Sequence, residues 1–426
     1  MTKAVKKTVT LPEKVTSLLE KGVRMTNPFS VEIGDEVNLE RIAGSLRIYG
    51  AARICGENTV IADDVKLGYE GPVTVINCQL GCAVELKGGF FTDSVFLEKA
   101  VMGANAQVRA CCLLEEEACG NHTVGLKQTI LFPFVTLGSL INFCDCLMAG
   151  GTSRENHSEV GSSYIHFNYT PQQDKATASI VGDVAQGVML KEAPIFLGGQ
   201  GGMVGPVKID YGTVIPAGVI CRRDTPGPGF IWSFPQTLKA RKEFLPGVYG
   251  DIRRKVYLNI LYMANLLALK QWYIHVRQDF FLEQKFGADL YAGAIRLLDG
   301  SLEERFRQMH KFSLQSEALH LVVVGRKKKQ LSGSIISLKK EFLLKWPQME
   351  TYLRSGQEVK IGLKKKEAFT KIIQSKLPGR NSYLSAIKIL TPAETKIGSG
   401  WLGEIVAVTV QQCLKKADIF RLKVME

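Results

Sequence analysis

Residues 162–183 read SSYIHFNYTPQQDKATASIVGD. Among them stand an imidazole (His166), an amide (Asn168), a phenol (Tyr169) and an ammonium (Lys175). Arg154, Glu155 and His157 lie just upstream. A neutral imidazole can take a proton from an attacking group near neutral pH. A cation such as Lys or Arg can hold a phosphate. Asn and Tyr supply donors and acceptors to a polar ligand. His157 and His166 are therefore the candidate bases, and Asn168, Tyr169, Lys175 and Arg154 the candidate substrate contacts. Glu155 would orient His157 if the turn brings the two together. The plainer alternative is a polar loop whose histidines only hydrogen-bond.

These residues must be held by the surrounding chain, whose texture is repetitive. From about residue 28 glycine is frequent and long helical patterns vanish. A short aliphatic residue recurs before Gly or another small residue: Ile33-Gly34, Ile61-Ala62, Leu67-Gly68, Leu80-Gly81, Leu137-Gly138, Val160-Gly161, Val181-Gly182. Some aliphatic steps are six residues, and Met102, Cys119 and Leu137 recur every 17 or 18. Three six-residue flats closing a triangular coil give that period, each coil stacking its aliphatic row on the next. A sandwich of short strands would instead alternate strictly, with turns every 8–12 residues or so. The repeat predicts a parallel β-helix, with the polar stretch ejected as a loop between two coils.

Four segments follow: a lead-in helix within residues 1–27, the β-helix over 28–225, a helical region over 226–315, and a basic α+β region over 316–426. Pro12 and Gly22 bracket the first helix. Residues 222–229, RRDTPGPG, punctuate the exit from the repeat. Residues 249–298 are strongly helical, apolar on several faces, and so expected to be buried between partners. Residues 320–324, HLVVV, read as a short strand.

The net charge is +13, and residues 321–426 carry all of it, with 21 Lys and Arg against 8 Asp and Glu. Solvated lysine faces are the plain reading, and contact with an acidic partner the alternative. Of ten cysteines, nine lie between Cys55 and Cys221. Cys78 and Cys82 are spaced like a ligand pair, but no second pair follows. Small buried thiols are the expected reading, in a reducing cytoplasm, with no metal. No run of about 18 uncharged apolar residues exists, and the N-terminus lacks a secretory pattern.

The motifs also carry a resemblance. Val160-Gly161 leads into Asn168-Tyr169-Thr170-Pro171; Lys175, Thr177 and Val181-Gly182-Asp183 follow. Val204-Gly205-Pro206-Val207 and the coil of residues 211–220 come later. Together they resemble the left-handed β-helix domain of the bifunctional UDP-N-acetylglucosamine pyrophosphorylase / glucosamine-1-phosphate N-acetyltransferase family, over about residues 15–235. That family carries Asn-Tyr-Asp-Gly, then Lys and Thr, then Ile-Gly-Asp.

The resemblance implies a left-handed hand, a homotrimer with sites between subunits, and acetyl-CoA or another acyl-CoA as co-substrate. It implies that Asn168, Tyr169 and Lys175 bind an amino-sugar phosphate or nucleotide sugar, and that a His removes the amine proton. Coenzyme contacts are expected at Gly199 and Gly205, and backbone amides can stabilise the oxyanion. Thr170-Pro171 replaces Asp-Gly, and Lys175 stands one place late. The family's base would fall near Cys144-Asp145-Cys146, where no His stands. No L-x-x-G-x-G-T-x-M phosphate loop precedes the coils, so the uridylyltransferase half is not expected. The function implied is N-acyl transfer in cell-envelope precursor metabolism. The alternatives are a non-catalytic sugar-nucleotide binder or scaffold, and a γ-carbonic-anhydrase-like metal enzyme using His122, His157 and His166.

Overall fold

The computed structural model describes residues 10–225, 227, 249–317, 333–376 and 382–417. The chain forms a parallel β-solenoid of about 11 turns, with helices mostly at its C-terminal end. Helices are named here in chain order: α1 (Glu13–Glu20), α2 (Val184–Gly187), α3 (Arg253–Trp272), α4 (Gln278–Leu282), α5 (Gly287–Glu317), α6 (Gly333–Arg354), α7 (Leu363–Lys376), α8 (Tyr383–Lys388) and α9 (Pro392–Leu414).

Helix α1 starts behind Pro12 and stops before Gly22, whose φ of 105° suits only glycine. It buries Val15 and Leu18 and so caps the first coil, whose interior would otherwise open to water. The Lys14 ammonium ties it down by donating to the carbonyls of Gly34 (3.0 Å), Asp35 (2.6 Å) and Val37 (2.9 Å).

Every coil contributes short strands to three faces. The first face runs from Arg24–Met25 to Val214–Ile215, with Arg47, Lys66, Glu85, Val101, Cys119 and Thr136 in register. The second runs from Val31–Ile33 to Ile220–Cys221, the third from Val60–Ile61 to Lys208–Ile209. Gly125–Leu131 and Asn142–Met148 bend through a corner and belong to both. Left-handed backbone at Asn77, Asp93, Cys111, Gln128 and Asp145 makes that corner coil after coil. Asn and Asp tolerate this conformation best among residues with side chains, which accounts for three of the five.

The third face explains the aliphatic runs. Val95, Leu113, Ile130, Leu147 and Ile180 stack in register and are buried, although they alternate with the inward residues Phe96, Leu114, Leu131, Met148 and Val181. Helix α5 lies over this outward column, and α3 packs on Ser179–Val181. A Cβ on Gly293 of α5 would come within 2.2 Å of the Gln79 side chain, so the approach is close. A parallel sheet covered on both sides reads as continuous apolar sequence. Helix α3 is thereby buried between the solenoid and α9, as its all-round apolar pattern requires.

Three of the ten cysteines, Cys78, Cys112 and Cys146, take small inward positions on the same face, while Cys55, Cys82, Cys111 and Cys119 are only half-buried. Cys78, Ser94, Cys112, Thr129, Cys146 and Ser179 form one register column, all buried. Burial pushes the Cys78 thiol up to about 12, so it stays protonated. No cluster of three metal-ligating side chains exists among the described residues.

The helical region of residues 249–298 is not continuous. The chain passes through a π-turn at Tyr273–Arg277 and α4, then breaks before Gly287, where a Cβ would lie 1.6 Å from the Phe281 carbonyl. The described residues of 316–426 are helices and turns, without strands. The strand expected at 320–324, the lysine run at 326–329 and residues 226, 228 and 229 of the exit loop lie outside the described residues. Among the described residues no helix is long and apolar enough to cross a membrane.

Candidate functional site

The polar stretch does not separate two coils. Ile165–Phe167 lies on the second face and Ser179–Val181 on the third, both strands of the same coil. The excursion is residues 168–178, and it replaces the single corner residue that earlier coils use. The coil below contributes Asp145 at this corner, and the coil above contributes Gly205.

The excursion is tightly anchored. The Asn168 amide donates to one oxygen of Asp145 at 2.5 Å, and the Thr177 hydroxyl donates to the Asn168 carbonyl at 2.8 Å. The other oxygen of Asp145 accepts from the buried Arg305 guanidinium of α5 at 2.7 Å. Arg305 also donates to the Lys175 carbonyl at 3.1 Å. Asp174, buried beneath the loop, accepts from the Thr170 hydroxyl (2.5 Å), the Ala176 amide (3.2 Å), the Tyr249 hydroxyl (3.2 Å) and the Lys255 ammonium of α3 (2.9 Å). The Asn259 side chain of α3 donates to the Ala176 carbonyl at 3.0 Å. Such a buried network fixes a loop in one shape, although the Asn259 Oδ1 has no partner among the described residues.

Tyr169 and Lys175 remain presented. Tyr169 is 55% exposed, and Lys175 is half-buried. An exposed ring and an ammonium on a rigid corner are suited to a sugar ring and a phosphate. The Asn168 amide nitrogen is committed to Asp145.

The histidines lie elsewhere. His166 is fully buried, its Nδ1 against the Cys144 carbonyl and its Nε2 2.9 Å from the Ser179 hydroxyl. That carbonyl must accept, so Nδ1 carries the proton and Nε2 accepts from Ser179. Burial lowers the His166 pKa, which keeps the ring neutral. Both nitrogens are engaged within the coil, the plainer of the two readings of this residue.

His157 sits on a hairpin, Gly151–Ser153 with Asn156–His157, inserted at the corner between the third and first faces. Its Nδ1 is 2.6 Å from the Arg154 carbonyl, and its Nε2 is 4.0 Å from a Glu159 oxygen. Glu159, not Glu155, is thus the carboxylate beside it; the Glu155 amide donates to the Ser153 hydroxyl. Arg154 reaches down the same corner, donating to the carbonyls of Glu117 (3.0 Å) and Phe134 (2.8 Å) and to the Thr136 hydroxyl (3.1 Å). It tethers the hairpin to earlier coils. Sequence proximity had grouped Arg154 and His157 with Asn168, but the triangular section separates them onto two corners.

Gly199 and Gly205 are set by coil stacking. A Cβ on Gly199 would lie 2.8 Å from the Ser162 carbonyl, and one on Gly205 2.0 Å from that of Thr177. His122, beside Thr123 on a third corner, does not converge with the other two histidines.

The anchors Asp145, Asp174, Lys255 and Arg305 escaped the sequence reading. One signal was there: Arg305 stands within the apolar stripe of Leu302, Phe306 and Met309, where a charge needs a buried partner.

No family model matches this chain. It is similar to bifunctional protein GlmU of Thermotoga sp. (strain RQ2), 24% identical over 220 residues, which is 50% of this chain and 42% of that protein. Bifunctional protein GlmU of Lawsonia intracellularis is 25% identical over 213 residues, 50% of this chain and 41% of that protein. That of Acinetobacter baylyi is 25% identical over 232 residues, covering 50% and 42%. The chain thus spans less than half the length of the curated relatives it matches. Over about half its own length this chain is a distant relative of bifunctional protein GlmU, on the parallel β-solenoid its aliphatic repeat prescribes.

Proposed function

We propose that this chain binds an amino-sugar phosphate or nucleotide sugar at the excursion of residues 168–178 and does not carry out acyl transfer there. The observation that carries this reading is the corner itself: Tyr169 exposed and Lys175 half-buried on a loop locked by Asp145 and Asp174, with neither candidate histidine available beside it. Similarity to bifunctional protein GlmU supports the ligand class. An amine attacks a thioester only after losing a proton, and the one histidine near this corner has both ring nitrogens engaged.

A second reading keeps catalysis, with His157 as base. Its support is geometric: Nδ1 is 2.6 Å from the Arg154 carbonyl, which leaves Nε2 as the ring nitrogen toward the partly exposed side. Acyl-CoA is the co-substrate of that reading. A homotrimer, with the first and second faces available to other subunits, is part of both.

Calorimetry with UDP-N-acetylglucosamine and glucosamine 1-phosphate, beside an assay of acetyl-CoA turnover, separates them. Binding proposed here is saturable, falls about tenfold or more in Lys175→Ala and Tyr169→Ala, and survives His157→Ala, with no turnover. Turnover that His157→Ala abolishes supports the second reading. Absence of binding by both sugars removes the first.

A further inference from the structure

A second recess lies between the last coils and the helices. It is an open recess of about 440 Å3 among the third face, α2, α3 and α9. That is within the usual size of a small-molecule site. Ile180, Leu261, Val406, Val410 and Leu414 make its walls apolar. Gly403 opens the floor, since a Cβ there would meet nothing nearer than the Ala185 methyl at 3.9 Å.

Polar groups gather at one end. Lys208 is already paired with Asp210 at 2.8 Å. Asn265 forms a wall, since its oxygen accepts from the Val184 amide (3.0 Å) and its nitrogen donates to the Leu261 carbonyl (2.9 Å). Asp183 accepts from the Gln186 amide at 2.8 Å as the cap of α2, and no cation pairs with it among the described residues at ion-pair distance. Asp183, Asp210 and Lys208 together leave one negative charge at this end. Burial raises the Asp183 pKa, so the desolvated carboxylate would gain from a cation.

We propose that this recess binds a single-chain amphiphile with a primary ammonium head, the ammonium against Asp183 and the chain along α9. The inference is independent of the sugar-phosphate reading, which concerns another part of the coil.

Calorimetry of the full chain with dodecylammonium and dodecanoate below their micellar concentrations, and dodecanol below its solubility limit, tests it. Dodecylammonium should bind saturably, about tenfold or more tighter than either other head. Asp183→Asn still caps α2, and should erase that preference while leaving dodecanol binding unchanged. Gly403→Leu should fill the floor and abolish binding of all three with Tm unchanged. Ala407→Leu, an exposed position on the same helix, should weaken binding and provides a second blocking variant that leaves the core intact. Equal affinity for the three heads, preference for dodecanoate, or no saturable binding overturns the proposal. So does binding that ignores both blocking variants.

Discussion

Single residues decide how the polar corner is held. Asp145 serves two masters, Asn168 on the excursion and Arg305 on α5. Asp145→Ala would leave the buried Arg305 guanidinium with only the Glu304 carboxylate at 4.0 Å, a loss of about 3–5 kcal/mol in urea unfolding. Replacing both partners by apolar residues of similar volume should cost far less. Glu115 offers a pH test. Burial pushes its carboxyl up to about 7, against the opposing pull of Arg277. It also accepts from the Tyr273 hydroxyl at 2.6 Å. Its pKa is higher folded than unfolded, so the folded chain binds the proton more tightly. Its contribution is therefore most favourable below about pH 4.5 and is lost as pH rises toward about 7. Glu115→Gln removes that titration, and the gap between urea midpoints at about pH 5 and about pH 8 should shrink.

At the scale of elements, the third face and α5 depend on one another. Ile130 belongs to the outward column that the helices cover, and Ile130→Ala should cost about 2–5 kcal/mol by chemical unfolding. Gln107, exposed and outward on the second face, should tolerate Ala within about 0.5 kcal/mol. Equal effects would mean that α5 does not bury the third face in solution. The two hairpin-like insertions follow a common logic. A solenoid corner is a turn, and a turn accepts extra residues without disturbing the stacked rows. The excursion and the His157 hairpin therefore sit at corners while the flats stay in register.

For the whole molecule, the described helices take one face and, among the described residues, leave two. Ile165, Phe167 and Ile220 are exposed on the second face near its end, and Phe196 and Val214 on the first. If the chain trimerises, these are the apolar residues available to a neighbour. Sedimentation should then show a trimer, and Phe167→Glu should shift it toward monomer. In α7 and α9, Lys365 pairs with Glu404 at 2.8 Å and Lys376 with Glu394 at 3.0 Å.

The aliphatic-glycine repeat determined the solenoid, because each coil must bury one small set of side chains and turn three times to do so. It also marked Asn168, Tyr169 and Lys175 as an interruption. The capping helix was legible from Pro12 and Gly22. Tertiary structure alone decided the rest. Positions a few residues apart can fall on different corners of a triangle, so His157 and Asn168 part company. A histidine amid loop-like sequence can still point inward, as His166 does between Cys144 and Ser179. The partners that anchor the corner, Lys255 and Arg305, come from helices far along the chain. No local pattern could pair them with Asp174 and Asp145, because their contact exists only once α3 and α5 lie down on the third face.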